Sequence, residues 1–291
     1  MRRVIQYDSR LFKGLYFVYI RVTSKKRLKR KRSADMNIQI HMADHCNLGC
    51  SRCNAFSPLV QECFADVDVI KRDLDRLSEL TAGNVGFLTI SGGEPLLHDQ
   101  LPEVLQYAHA RFPEQIIKVI TNGLLLENAK ERFWEICSRN NIIISLTCYP
   151  IDINIKRIKE IAVSHDVKLI FQDDTDIRKK TMSFAPLDPA GKQKTLESYR
   201  FCFMANNDFV LEDGKLSPCP VIAHIKYFNE YFNQSFAVSE DDYIDIYKVD
   251  SFDEVLDFFC KPMPFCRYCK KKERISGLRW EISKKEISEW M

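Results

Sequence analysis

The sequence predicts an α/β fold, a partial (β/α)6 barrel with a smaller, cysteine-rich α+β extension at its C-terminal end. From residue 36 to about residue 175, short apolar runs rich in β-branched residues alternate with helical runs, which is the pattern of a parallel sheet built from βα units. Beyond residue 180 the alternation stops, and five of the eleven cysteines fall there. The predicted division is a basic arm at 1–35, a barrel core at 36–180 and a C-terminal region at 181–291.

Five strands are predicted in the barrel core. They are Asn37 to Met42, Gly86 to Ser91, Ile116 to Thr121, Ile142 to Thr147 and Val167 to Phe171. The first intervening helix has a core-facing stripe of Ile70, Leu74 and Leu77, and Gly83 is its predicted stop. Ligands of parallel α/β sheets bind at the carboxyl ends of the strands, so the residues that close each strand are candidate site residues.

A loop with three cysteines, HCNLGCSRC, directly follows the first predicted strand. Cys46, Cys50 and Cys53 have the spacing C-x3-C-x2-C. Three thiolates on one short loop can hold three irons of a cubane cluster and leave the fourth iron open to another ligand. Neither the paired spacing of zinc sites nor the ferredoxin run describes this loop. The sequence therefore predicts an iron–sulfur cluster with an open iron.

The cysteine spacing resembles the signature of the radical S-adenosylmethionine (SAM) enzymes. The resemblance implies that the open iron of a [4Fe-4S] cluster binds the amino and carboxylate groups of SAM. It also implies that an electron from the cluster cleaves SAM to methionine and a 5'-deoxyadenosyl radical, which removes a hydrogen atom from a substrate. Arg52 stands where the family usually has an aromatic or apolar residue, which affects the adenine pocket more than the cluster.

Glycine and polar residues close the second, third and fourth predicted strands. The second ends in SGGEP, where two glycines let the backbone approach a ligand and leave carbonyls and Glu94 to accept from an ammonium group. SGGEP resembles the family's GGEP motif, which implies binding of the amino group of SAM. The resemblance also implies that Asn, Ser and Thr at the next strand ends bind the ribose and the methionine carboxylate, although Asn-Gly is also a common structural turn. The candidate cofactor-binding residues are Gly92, Gly93, Glu94, Asn122, Ser145 and Thr147.

A charged run follows the fifth predicted strand, near the expected mouth of the barrel. A carboxylate and a cation there can bind a polar substrate or move a proton, whereas most such runs are solvated loops. The candidate catalytic residues are Asp173, Asp174, Asp176 and Arg178. Cys148 and Cys260 are candidate hydrogen donors to a substrate radical. Packing in the core is the alternative for Cys148, as it is for Cys63 and Cys137.

Four C-terminal cysteines form a second candidate metal centre. Cys202 and Cys219 fit the pattern C-x11-G-x4-C, and Cys266 and Cys269 form a C-x2-C pair. Four thiolates in two pairs can enclose either a structural zinc ion or an iron–sulfur cluster. The first pair resembles the opening of the SPASM and twitch extensions, and the short remainder of the sequence resembles the twitch form. This resemblance implies one auxiliary [4Fe-4S] cluster, with Cys260 as an alternative ligand.

The charge of the chain is divided unevenly. Residues 1–32 hold 12 Lys or Arg and one acid, and the remainder holds 31 basic and 39 acidic residues. The basic run follows an apolar aromatic stretch, which predicts contact with an anionic membrane surface, a solvated tail being the alternative. A nucleic-acid partner is not expected, because the body of the chain is acidic. Eleven cysteines without a secretory signal indicate a reducing, cytoplasmic compartment.

The predicted function is a radical SAM enzyme of dehydrogenase or epimerase type. The run HCNLGCSRCNAFSP, His45 to Pro58, resembles radical SAM proteins associated with surface-polysaccharide pathways. That resemblance implies a small polar, carbohydrate-like substrate and an electron donor such as flavodoxin or ferredoxin. The alternatives are a peptide maturase, a nucleic-acid-modifying enzyme, and a non-catalytic module that binds an iron–sulfur cluster or zinc.

Overall fold

The computed structural model describes residues 31–172, 181–202, 204–205 and 207–291. Ten strands lie in these ranges. They are β1 (Asn37–His41), β2 (Phe87–Ser91), β3 (Ile116–Thr121), β4 (Ile143–Thr147), β5 (Leu169–Gln172), β6 (Thr181–Phe184), β7 (Asp208–Glu212), β8 (Lys215–Ser217), β9 (Ile244–Asp245) and β10 (Ile275–Arg279). The predicted basic arm and the charged run at 173–180 lie outside the described residues, so the predictions made for them stay predictions.

The central sheet has eight strands in the order β5-β4-β3-β2-β1-β7-β8-β9. The strands from β5 to β7 in that order are all parallel to their neighbours, and β8 and β9 add antiparallel pairs at one edge. The predicted α/β class and all five predicted strands are confirmed, because each strand begins and ends within two residues of its predicted bounds. The strand β7, which the sequence did not indicate, comes from the predicted C-terminal region. The sheet therefore continues across the predicted boundary at residue 180.

Helices connect the parallel strands. They are α1 (Val67–Thr81), α2 (Leu101–Arg111), α3 (Glu131–Arg139), α4 (Ile155–Ser164), α5 (Thr195–Phe201), α6 (Pro220–Phe232) and α7 (Phe252–Phe258). Helix α1 begins where the Asp66 carboxylate accepts from two backbone N–H groups, and it ends where Ala82 takes a left-handed conformation before Gly83. Its predicted apolar stripe is buried, which confirms the periodicity.

The last residues of the chain pack on the three-cysteine loop. Strand β10 pairs with β6, and the backbone then runs along the loop, where the N–H of Ser51 donates to the Glu281 carbonyl at 3.0 Å. The Ser283 N–H donates to the Gly49 carbonyl at 2.8 Å, and the Trp290 indole N–H donates to the Cys53 carbonyl at 3.0 Å. These contacts hold the cysteine loop against the C-terminal segment. No helix within the described part of the chain is long and apolar enough to span a membrane.

Candidate active site

The three-cysteine loop and the carboxyl ends of the parallel strands surround one cavity of about 250 Å³. The thiols of the predicted cluster all border it. Its lining residues are Cys46, Leu48, Cys50, Arg52, Cys53, Asn54, Ser57, Gly92, Gly93, Ile120, Thr121, Asn122, Thr147, Tyr149, Met182 and Ser183. The structure therefore brings together the cysteines and most of the predicted cofactor-binding residues, as expected for strand ends of a parallel sheet.

Gly92 and Gly93 let the backbone of the cysteine loop lie directly against the end of β2. The Gly93 N–H donates to the Ala43 carbonyl at 2.6 Å, and the Glu94 N–H donates to the His45 carbonyl at 3.2 Å. A Cβ atom at Gly92 would lie 2.2 Å from the Ala43 carbonyl oxygen, and one at Gly93 would lie 2.1 Å from that of His45. Only glycine fits these two positions, because both obstacles are backbone atoms.

Glu94 is fully buried behind the cavity and joins the ends of β2 and β3. One carboxylate oxygen accepts from the Thr121 hydroxyl at 2.8 Å and from the Leu96 N–H at 3.2 Å, and the other accepts from the Asn122 N–H at 2.9 Å. Burial raises the pKa of Glu94 to about 7, although these three hydrogen bonds lower it. This carboxylate positions the two strand ends, and its predicted contact with an ammonium group stays a prediction.

The raised pKa of Glu94 predicts a pH dependence of stability. Between the unfolded value of 4.5 and the folded value of about 7, the native state keeps a proton that the unfolded chain has lost. The contribution of this group is therefore fully present below about pH 4.5, and up to about 3 kcal/mol of it is lost as the pH rises through 7. We expect Glu94→Gln to remove this part of the pH dependence. Urea unfolding at pH 5 and pH 8 measures it, with the exposed Glu240→Gln as control. An equal loss of stability with pH in the Glu94→Gln and native chains would contradict the assignment.

The polar residues at the ends of β3 and β4 have different positions. The Asn122 side-chain amide donates to the Asn47 side-chain oxygen at 2.8 Å and lies 3.7 Å from the Cys46 sulfur. Thr147 lines the cavity and donates to the Gln172 side chain at 3.1 Å. Ser145 is buried two residues earlier and is not among the lining residues. The structure therefore places Asn122 and Thr147 at the cavity and Ser145 outside it.

Two aromatic residues beside Cys50 were not indicated by the sequence. The rings of Tyr149 and Trp280 lie 5.5 Å apart. Burial raises the pKa of Cys50 to about 12, and the polar groups of these two rings act against the rise. Tyr149 carried a weak signal, since it comes two residues after the end of a strand whose last residue was already a candidate. Trp280 carried none, because it approaches from the far end of the chain.

Arg52 lines the cavity together with the cysteine thiols. Its guanidinium donates to the Glu281 carboxylate at 2.9 Å and lies over the Phe184 ring at 5.5 Å. The residue before the third cysteine is therefore held by the C-terminal segment. A cation over an aromatic face can present a flat, planar surface toward the cavity.

The four C-terminal cysteines converge. Cys202 follows α5, Cys219 precedes α6, and Cys266 and Cys269 lie in or beside the short turn Pro264–Tyr268, which packs on α5. Burial raises the pKa of Cys219 to about 12, and the charges of Cys202 and Cys269 add to the rise. Lys271 is close enough for all four thiols to raise its pKa, although burial opposes them. The four thiols of the predicted ligand set therefore lie close enough to interact electrostatically with one another and with Lys271.

The remaining candidates lie outside both thiol groups. The Cys260 thiol donates to the Leu256 carbonyl at 3.3 Å, which directs it toward its own helix. Cys148 is buried with 1% exposure and is not a lining residue of the cavity, and Cys137 is equally buried in α3. Cys63 is half-buried, with its sulfur 3.7 Å from the Tyr227 hydroxyl. Asp173, Asp174, Asp176 and Arg178 lie outside the described residues.

The sequence model of the radical SAM superfamily matches residues 40–168. This span runs from β1 to the segment before β5 and contains the cysteine loop and every strand end that lines the cavity up to β4. Residues 40–168 form a radical SAM domain. The predicted resemblance is confirmed at this level, and the central sheet is the parallel α/β sheet of that superfamily's partial barrel.

One curated protein and several solved structures are similar to this chain. The chain is 33% identical over 91 residues to a GTP 3',8-cyclase of Chlorobaculum tepidum, and the match covers 31% of this chain and 26% of the cyclase. The chain thus matches about a quarter of that enzyme's length. The crystal structure of BtrN in complex with AdoMet and 2-DOIA has a TM-score of 0.51 at 18% identity and covers 83% of this chain and 94% of BtrN. At this identity the likeness to BtrN concerns the fold alone.

A further solved structure, Streptococcus suis SuiB bound to S-adenosylmethionine, has a TM-score of 0.42 at 11% identity, with 88% of this chain and 72% of SuiB covered. A TM-score of 0.42 is too low to establish a common fold. A radical SAM domain implies an enzyme that binds a [4Fe-4S] cluster and SAM. The residues fit both groups, because three thiols on one loop border the cavity that the glycine turn and the strand-end polar groups enclose.

Proposed function

We propose that the protein is a radical SAM enzyme that oxidises a small polar, carbohydrate-like substrate with the help of an auxiliary iron–sulfur cluster. When bound, SAM and its cluster supply a 5'-deoxyadenosyl radical that removes a hydrogen atom from the substrate. The observation that carries the proposal is the position of all three loop thiols on one enclosed cavity with the ends of β2, β3 and β4.

The residues of the cavity have separate roles in this proposal. Cys46, Cys50 and Cys53 hold three irons. Gly92 and Gly93 line the cavity, where their backbone carbonyls would accept from an ammonium group. Asn122, Thr147 and Tyr149 supply amide and hydroxyl groups for a carboxylate and for ribose hydroxyls. Arg52, over Phe184, forms the wall on the side of the C-terminal segment.

The C-terminal cysteines support an auxiliary cluster more strongly than a structural zinc ion. Zinc with Zn–S bonds near 2.3 Å would hold four thiolates about 3.8 Å apart. The described residues include every cysteine. Among them, the group of three or more possible ligand atoms that lie within 4.8 Å of one another contains no cysteine. No three of the Cys202, Cys219, Cys266 and Cys269 thiols therefore lie as close together as a zinc site requires, which agrees better with a cluster of several irons.

The lining of the cavity supports oxidation over epimerisation. An epimerase must return a hydrogen atom to the substrate radical, and a thiol is the donor that the sequence offered. Among the described residues, which include every cysteine, only Cys46, Cys50 and Cys53 are cysteines that line the cavity. An auxiliary cluster can instead accept the remaining electron while a proton leaves, so that the substrate loses two hydrogens in total. The small-molecule ligand named in the BtrN complex, whose fold this chain shares, agrees with a substrate of this size.

Iron and sulfide counts after anaerobic reconstitution test the two-cluster arrangement. We expect about eight irons per native chain and about four in the variant with Cys46, Cys50 and Cys53 changed to Ala. Cys260→Ser is the matched control and should keep the native count, because its thiol bonds to its own helix. About four irons in the native chain falling to none in the triple variant, with one zinc retained, would replace the auxiliary cluster by a structural zinc site.

The outcome of the reaction is measured on candidate amino sugars and nucleotide sugars incubated in D2O with SAM and a reductant. Oxidation gives a product that has lost two hydrogens, in an amount that rises in proportion to 5'-deoxyadenosine. An isomer of the substrate in which one deuterium replaces one carbon-bound hydrogen would show epimerisation and would contradict the proposed outcome. Turnover of a peptide or a nucleic acid, with none of the sugars consumed, would contradict the proposed substrate class.

A further inference from the structure

A second group of possible metal ligands lies at the base of the cysteine loop, outside both thiol groups. His41 is the last residue of β1, Asp44 begins the cysteine loop, and His224 lies in α6. One ligand atom from each lies within 4.8 Å of the other two, and all three residues are buried. His41 and His224 lie far apart in the chain, so no spacing in the sequence indicates this group.

The ligand atoms of the group lie close together, and the His41 and Asp44 side chains form a hydrogen bond. The Asp44 carboxylate oxygen Oδ1 lies 3.2 Å from Nδ1 of His41 and 3.9 Å from Nδ1 of His224. The two imidazole rings are stacked, with centroids 4.3 Å apart. Tetrahedral ligand atoms at about 2.0–2.1 Å from a metal lie about 3.3 Å from one another. Small side-chain adjustments would therefore complete the coordination.

His224 lacks hydrogen-bond partners within the described part of the chain. The side chain is 0% exposed, and neither ring nitrogen has a partner. The Glu212 carboxylate lies 3.6 Å from Nδ1, beyond hydrogen-bond distance, and pairs with Lys226 at 2.6 Å through its other oxygen. A buried polar ring without partners costs stability, and such groups normally have a partner that the protein atoms alone do not reveal. The Nδ1 atom faces the carboxylates, where an ion would lie.

We propose that His41, Asp44 and His224 bind one divalent transition-metal ion, separate from the iron–sulfur clusters. Two imidazoles and a carboxylate are donors that suit zinc and its neighbours rather than calcium or magnesium. The Tyr227 hydroxyl donates to the second oxygen of Asp44, and such a bond orients a metal-binding carboxylate. His41 and Asp44 border a cavity of about 200 Å³, so a water molecule can fill the remaining coordination position.

The proposed ion would connect the two cluster-binding regions. Asp44 precedes Cys46 by two residues, and His224 follows Cys219 by five residues in α6. The ion would therefore join the base of the cysteine loop to the helix that begins at an auxiliary-cluster cysteine. Its expected role is structural: it would fix the distance between the two loops.

Zinc binding to the reconstituted full chain tests the proposal. The native protein, loaded with its clusters, is equilibrated with Zn²⁺, desalted and analysed for metal. We expect about one zinc per chain, and binding weaker by at least about tenfold in His41→Gln and His224→Gln. His165→Gln is the matched control, because His165 also pairs with a carboxylate, at 2.8 Å from Glu131, but lies outside the group. Iron content equal to that of the native chain shows that a variant has folded.

X-ray absorption at the zinc edge of the native protein gives an answer that does not depend on the variants. Nitrogen and oxygen neighbours at about 2.0–2.1 Å, with no sulfur shell, are the expected result. A sulfur shell at about 2.3 Å would place the zinc on cysteines and overturn the proposal. The absence of bound zinc in the native chain, or equal zinc in the native, His41→Gln and His224→Gln proteins, would overturn it as well.

Discussion

Changing Cys46, Cys50 and Cys53 together to Ala is expected to reduce the formation of 5'-deoxyadenosine from SAM to the background of the reductant alone. All three thiols border one cavity, and each is needed to hold one iron of the predicted cluster. Within the described part of the chain no other cysteine lines that cavity, so none of the remaining thiols is placed to replace them. The loss should therefore be complete rather than partial.

The measurement is 5'-deoxyadenosine by mass spectrometry under anaerobic conditions with a chemical reductant. Each single replacement by Ser is compared with the triple variant, and Cys260→Ser serves as the control that should retain native activity. The iron that remains in the triple variant shows that the C-terminal region is intact. Continued SAM cleavage by the triple variant would remove the proposed catalytic cluster from this loop.

Gly93→Ala is expected to destabilise the chain by about 3 kcal/mol and to impair loading of the first cluster. The added Cβ would lie 2.1 Å from the His45 carbonyl oxygen, 2.4 Å from its carbonyl carbon and 2.9 Å from the Asp44 carbonyl oxygen. These are backbone atoms, so they cannot move away as a flexible side chain would. Displacing His45 also displaces Cys46, which follows it directly in the loop.

Gly277→Ala is the matched control for this substitution. Gly277 has a φ of +76° and no atom within 4 Å of the position where a Cβ would stand. Alanine there meets only backbone strain, about 1–2 kcal/mol. Urea unfolding and iron content are measured for both variants. If Gly93→Ala unfolds no more easily than Gly277→Ala and loads iron normally, then the glycine turn does not position the cysteine loop.

The first half of the site was predictable because its signals are local. The three cysteines lie within eight residues, and the GGEP turn follows the next strand directly. A regular βα alternation places all strand ends on one edge of the sheet, so the sequence order of these motifs already determines their proximity. For the same reason the strands were predicted to within two residues.

The roles of single side chains at that edge were less predictable. Glu94 was expected to face a ligand, and the structure shows one of its oxygens bonded to Thr121 and Leu96 and the other bonded to Asn122. Ser145 shares a face with Thr147, yet only Thr147 lines the cavity. Whether a side chain at a strand end reaches a cavity depends on the local curvature of the sheet and on which loops cover it. A short stretch of sequence determines neither.

By itself the sequence determined the parallel α/β core, the three-cysteine loop and the radical SAM domain, since each of these depends on neighbours close in the chain. Only the tertiary structure decided how the C-terminal region meets that core. Strand β7 pairs with β1, Trp280 and Glu281 reach the cysteine loop, and His224 approaches His41 and Asp44. These contacts join residues more than 160 positions apart, and their partners are selected by packing, which no periodicity or spacing in the sequence encodes.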